Sequence, residues 1–99
     1  MSTIFEVGTI HYTHPIAVII AASPKFLEYI GFVMGMHTQG HWGSVGEAVY
    51  EASDRGLIAG TSVLSEYELV EEFEPFGDAL TITTDFELEI TVVDMSEGH

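Results

Sequence analysis

From Thr61 to the end of the chain there are eleven carboxylates and neither a lysine nor an arginine. No acid in that stretch has a local permanent cation to neutralise it, so each must reach water, a backbone amide or a hydroxyl. The same stretch alternates. Val63, Ser65, Tyr67 and Leu69 oppose Leu64, Glu66, Glu68 and Val70, and Leu80, Ile82 and Thr84 share the next face. Phe86, Leu88, Ile90 and Val92 then oppose Glu87, Glu89, Thr91 and Val93. A period of two with one wet side is the signature of strands in a half-covered sheet. The expectation is a three-stranded meander, with a glutamate-rich turn from Glu71 to Asp78 around Pro75 and Gly77.

The stretch before the meander reads as loop and helix. Gly40-His41-Trp42-Gly43 brackets the single tryptophan between glycines, as a tight loop pressing one aromatic onto a core does. Ser44 and Glu47 have capping-box spacing. Val45, Val49 and Ala52 recur at helical spacing and are expected to face inward, with Glu47, Glu51 and Asp54 toward water. Gly56 or Gly60 supplies the helix stop. Further upstream, Ser23-Pro24 is a helix start, and Phe26, Leu27, Ile30, Val33, Met34 and His37 keep the helical rhythm. Ile16 to Ala22 is apolar on both sides and is read as a central strand, separated by His14-Pro15 from a first strand over 3–14. The expected fold is therefore α+β, an antiparallel sheet with two helices packed on one face in the order β-β-α-α-β-β-β. Residues 1–99 form one domain, with 94–99 as a frayed tail.

Disordered acidic chains lack the means to bury surface, but this chain is 46% apolar with eleven aromatics, enough for a core at 99 residues. A formal charge of −14 repels nucleic acid and anionic membranes and attracts basic proteins through a salt-dependent field. There is no cysteine, hence no disulfide framework and no thiolate metal site. Ile16 to Ser23 is too short for a signal sequence or a membrane span, and the reading is a cytoplasmic protein.

The segment Gly40, Trp42, Gly43, Val45, Ser53, Arg55, Leu57, Gly60, Leu64, Ser65 and Tyr67, followed by Ile82-Thr83, Thr91 and Val92, resembles a family of short proteins encoded on plasmids, integrated elements and phages. That family carries G-D-W-G, N-x-R-x-L, a glycine, L-S-x-Y and a later I-T strand, and an A-T-P turn precedes them where Ala22-Ser23-Pro24 stands here. The resemblance covers roughly Ile16 to Val93. His41 replaces the family's aspartate, Ser53 its asparagine, and Ser62 and Glu87 stand where basic residues are usual. The resemblance implies a mobile-element setting and structural roles for Trp42, Arg55 and Tyr67, with Ser44 and Glu47 opening the helix between them.

Glu66 with Glu68, and Glu87 with Glu89, are expected in pairs about 6.7 Å apart on two strands. With Glu71, Glu72, Glu74, Asp78 and Asp85 they would form a patch approaching the charge density of a polynucleotide, about one charge per 3.4 Å on each strand. The corresponding expectation is an acidic inhibitor, anti-CRISPR or anti-restriction, acting as a DNA-mimicking decoy. Its partner is a basic DNA-binding protein or a multi-subunit effector, with no direct nucleic-acid or membrane contact. The alternatives are an interaction module, monomeric or a homodimer, using Tyr12, Trp42, Phe73 and Phe76, or a salt-tolerant housekeeping domain whose acids serve hydration. His37 and His41 have metal-ligand spacing, but a packed histidine beside Trp42 is the favoured reading. Without a G-x-S-x-G context around Ser65 or a phosphate-cradling glycine loop, the reading assigns no catalytic residue, metal or cofactor.

Overall fold

A computed structural model describes residues 4–96. Strand β1 (Thr9–Tyr12) leads through Thr13 into helix α1 (His14–Ala22). Helices α2 (Pro24–His37) and α3 (Glu47–Ala59) follow, then strand β2 (Ser62–Glu68), a 3-10 helix (Glu71–Phe76), and strands β3 (Ala79–Asp85) and β4 (Ile90–Ser96). The four strands lie in the order β1-β4-β3-β2. The fold class is α+β, and the sheet is mostly antiparallel. The exception is β1, which runs parallel to β4 with Thr9 opposite Ile90 and Tyr12 opposite Val93.

The first two strands of the meander follow the alternation closely, whereas in the third Thr91 and Val93 turn inward, not Ile90 and Val92, and Leu88 is exposed. Val63, Ser65, Tyr67 and Leu69 are buried, and so are Leu80, Ile82 and Thr84. Ser65 stands opposite Ile82, and Ile82 opposite Val93, so the inward residues line one side of the sheet. Ile16 and Ile19 of α1 and Phe26, Ile30 and Val33 of α2 close over that side and complete the core. Phe73 of the 3-10 helix plugs its end, edge-on to Phe26 at 5.2 Å between centroids. The carboxylates of the meander can then point to the wet side without breaking the core.

Several expectations are corrected. Ile16–Ala22 is helix, not a central strand. An apolar run has no periodicity to separate the two, and here Pro15 sits in the first turn, where its missing amide costs nothing. The first strand contracts to four residues. The last strand begins at Ile90 rather than Phe86, because Asp85 Oδ1 accepts from the amides of Glu87 and Leu88, each at 3.0 Å, and folds 86–89 into a turn. Residues 94–96 belong to β4 and are not a frayed tail; 97–99 lie outside the described residues. The expected capping box is not formed: α3 starts at Glu47 behind Gly46, and Ser44 is used elsewhere. Its inward face is Ser53 and Gly56, while Val49 is exposed. The helix does end at Gly60, in left-handed geometry.

Candidate functional site

The signature stretch from Gly40 to Tyr67 covers the free edge of β2. Along an outer strand, alternate residues turn their amide and carbonyl away from the sheet. In β2 these are Ser62, Leu64, Glu66 and Glu68, and from Leu64 onward each finds a partner. The Ser53 hydroxyl accepts from the Leu64 amide at 2.9 Å and donates to its carbonyl at 3.0 Å. The Glu66 amide donates to Trp42 O at 2.9 Å, and Glu66 O accepts from the Ser44 amide at 2.7 Å and from its hydroxyl. Tyr29 Oη donates to Glu68 O at 3.0 Å. The close approach dictates residue size. A Cβ on Gly43, whose φ is +80°, would lie 1.9 Å from Glu66 O, and one on Gly56 would lie 1.9 Å from Ser62 O.

Trp42 is fully buried and donates from Nε1 to Asp54 Oδ1 at 2.9 Å. Tyr67 donates to His41 O at 2.6 Å, and burial pushes its hydroxyl up to about 12. Trp42 and Tyr67 thus hold the loop and β2 together. Ser44 also holds β2, though not as a helix cap. Glu47 and Arg55 are exposed on α3, where Arg55 borders a shallow groove with Ala52, Leu64 and Thr83.

Below that edge lies a buried polar chain that no sequence motif marks. His37, Ser65, Thr84 and Thr91 are at most 1% exposed. Thr91 Oγ1 donates to Val7 O at 2.8 Å. With that proton committed, Thr91 can only accept from Thr84 Oγ1 at 2.7 Å, and Thr84 in turn can only accept from His37 Nε2 at 2.8 Å. Nδ1 of a neutral His37 is then the acceptor for the Ser65 hydroxyl. Burial lowers the imidazole to about 4, which keeps it neutral. The serine–histidine pair has the proton polarity of a nucleophile and its base, but neither residue is exposed to solvent and the third partner is a hydroxyl, not a carboxylate. It ties α2 to β2, β3 and β4 and, through Thr91, to the segment before β1. Both ring nitrogens of His37 are engaged, while His41 is exposed. The favoured reading of a packed histidine agrees with this: His37 lies edge-on to Trp42 at 5.6 Å.

The acidic residues do not form the expected double ladder. Glu68, Glu71, Glu72, Glu74 and Asp78 are exposed, and Glu66 is half-buried; together they follow the end of β2, the 3-10 helix and the start of β3. Glu68, Glu74 and Asp78 line an open cavity of about 380 Å³ with Leu69 and Gly77. Glu87 and Glu89 sit in the β3–β4 turn, at the opposite end of the sheet. Ser62 pairs with Asp85 and Glu68 with Ala79, so six strand steps, about 20 Å, separate the two groups. Three aspartates serve the fold: Asp54 holds Trp42, Asp85 closes its turn, and Asp94 accepts from Thr13 at 2.7 Å.

Of the aromatics expected on a contact surface, Trp42 and Phe73 are buried; Tyr12 and Phe76 are partly exposed. Among the exposed apolar groups that sequence reading missed are Phe32 and Val70, 67% and 49% accessible. They border a cleft of about 260 Å³ that also involves Tyr29, Met36 and Tyr67. Phe32 lies outside the inward positions of α2, and that offset is its only sequence signal. Among the described residues no group of three or more potential metal ligands occurs, and no helix is long and apolar enough to cross a membrane. Comparison of the chain with protein-family models, curated proteins and solved structures finds no match.

Proposed function

We propose that this chain is an acidic inhibitor acting in the cytoplasm, one that occupies a basic nucleic-acid-binding surface of a DNA-targeting defence complex such as a CRISPR or restriction effector. The observation that carries the reading is the exposed arc from Glu68 to Asp78. It presents carboxylates around a cavity wide enough to take a guanidinium or ammonium group, and no lysine or arginine lies in its sequence. The second acidic group, Glu87 and Glu89, stands about 20 Å away, close to six steps of 3.4 Å along a duplex. The reading is therefore two anionic contacts at separate phosphate-binding points, not one continuous ladder. The mobile-element resemblance supplies the setting.

The test is capture of the partner from host extract, its identification by mass, and a binding assay at several salt concentrations. Affinity should fall as salt rises. The triple change Glu68→Lys, Glu74→Lys and Asp78→Lys should abolish binding, and Glu87→Lys with Glu89→Lys should weaken it. Full inhibition by the folded triple variant would remove the proposal. A second reading, an interaction module with apolar contacts, is favoured by the exposure of Phe32 and Val70. In that case alanine at these two positions would cost more affinity than charge reversal, with little change in salt dependence.

A further inference from the structure

Among the described residues the far edge of the sheet is uncovered, and it lies in the longest part of the chain that carries no acid. Thr9 N donates to Glu89 O and Thr13 N to Val93 O, so in β1 the odd-numbered residues face β4. Ile10 and Tyr12 turn their amides and carbonyls outward, and among the described residues no strand or side chain meets them. Their side chains share the side of the sheet where Thr91 and Val93 lie, the side α1 packs on, and are 37% and 39% exposed. Helix α1 follows at once. Its residues after His14 are all apolar, yet only Ile16 and Ile19 are buried and Val18 is 53% exposed. A helix apolar all round belongs in an interior. From Val7 to Leu27 there is no aspartate or glutamate in a chain that holds sixteen.

We infer that β1 and the outer flank of α1 form a two-fold interface between two copies of this chain, pairing β1 antiparallel with its symmetry mate into one eight-stranded sheet. Charge selects this occupant. A basic partner is drawn to the acidic arc, whereas a second copy, itself at −14, is repelled least where the segment brought to the contact carries no acid of its own. The register follows from which groups point outward. Ile10 exchanges both hydrogen bonds with Tyr12 of the second copy, Tyr12 with its Ile10, and His11 stands opposite itself across the axis in a non-hydrogen-bonded pair. Four residues of strand alone fall short of the ~800 Å² per partner of a stable contact, so the flank of α1 around Val18 is part of the surface.

Sedimentation equilibrium across a concentration series tests the inference. The expected result is a dimer that tightens as salt is raised, the opposite of the salt response of the proposed decoy contact, so the two proposals fail independently. Val18→Glu should weaken dimerisation at least tenfold and leave the thermal midpoint of the monomer unchanged. Because the chain has no cysteine, His11→Cys introduces a single thiol at a pair spaced for a disulfide. Mild oxidation should give a covalent dimer many times faster than it does for Thr83→Cys on the outer face. A monomer throughout the series, or a dimer that crosslinks no faster through position 11 than through position 83, overturns the inference.

Discussion

The two edges of the sheet are built in opposite ways. At β2 each outward amide and carbonyl of Leu64 and Glu66, and the carbonyl of Glu68, is met by a side chain or loop drawn from Tyr29, Trp42, Ser44 or Ser53. At β1 the outward groups of Ile10 and Tyr12 meet nothing among the described residues. An open edge is a pairing template, and folds usually blunt it with charge, proline or a covering element. This chain blunts one edge with some twenty residues of loop and helix and leaves the other short, neutral and bare. The contrast separates a part of the molecule whose sequence is dictated by the fold from a part whose freedom calls for a partner.

The largest effect should come from forcing the cover off. Gly56→Ala places a methyl against Ser62 O where the backbone has no room, and a loss of about 2–4 kcal/mol is expected from urea denaturation. Next is acid. His37 stays neutral in the fold down to about 4, against 6.5 for the free side chain. The unfolded chain therefore binds a proton that the folded chain refuses. The stabilisation is whole above pH 6.5 and is lost as pH falls toward 4, by about 3 kcal/mol. The slope of unfolding free energy against pH in that window should flatten in His37→Gln, while the contribution of the carboxylates remains in both proteins. Smaller again is Ser53→Ala, which leaves the Leu64 amide and carbonyl unpaired and should cost about 1–3 kcal/mol. His11→Ala at the bare edge should change the stability of the monomer by less than about 0.5 kcal/mol. Equal losses at the two edges would erase the distinction.

Much of the fold is legible in the residues. The alternation from Val63 to Thr84 gave the buried face because a two-sided strand leaves a period-two trace, and Ser23-Pro24 marked α2 because a proline suits a first turn, although the Ser23 hydroxyl makes no capping hydrogen bond. Ile16–Ala22 misled because a uniformly apolar run carries no phase. Ser44 and Glu47 misled because cap spacing recurs wherever a serine must bond something else, here Glu66 O. The acidic pairing failed at Glu87 and Glu89 because Asp85, a turn former, outweighed the continuing alternation. The His37 chain left no local trace at all: Ser65 and Thr84 stand 28 and 47 residues from the histidine they bond.

The sequence by itself determined that a folded core must carry an almost wholly anionic exterior, since its apolar content demands burial and two cations cannot neutralise sixteen acids. It also settled that a tight glycine loop and a helix precede a meander. Only the tertiary structure decided where the charge collects, which glutamates share a contour and which lie about 20 Å away, because strand register and turn position are fixed by pairing partners far along the chain. The same long-range pairing put β1 beside β4 at the margin of the sheet, leaving its outward amides and carbonyls without a partner among the described residues.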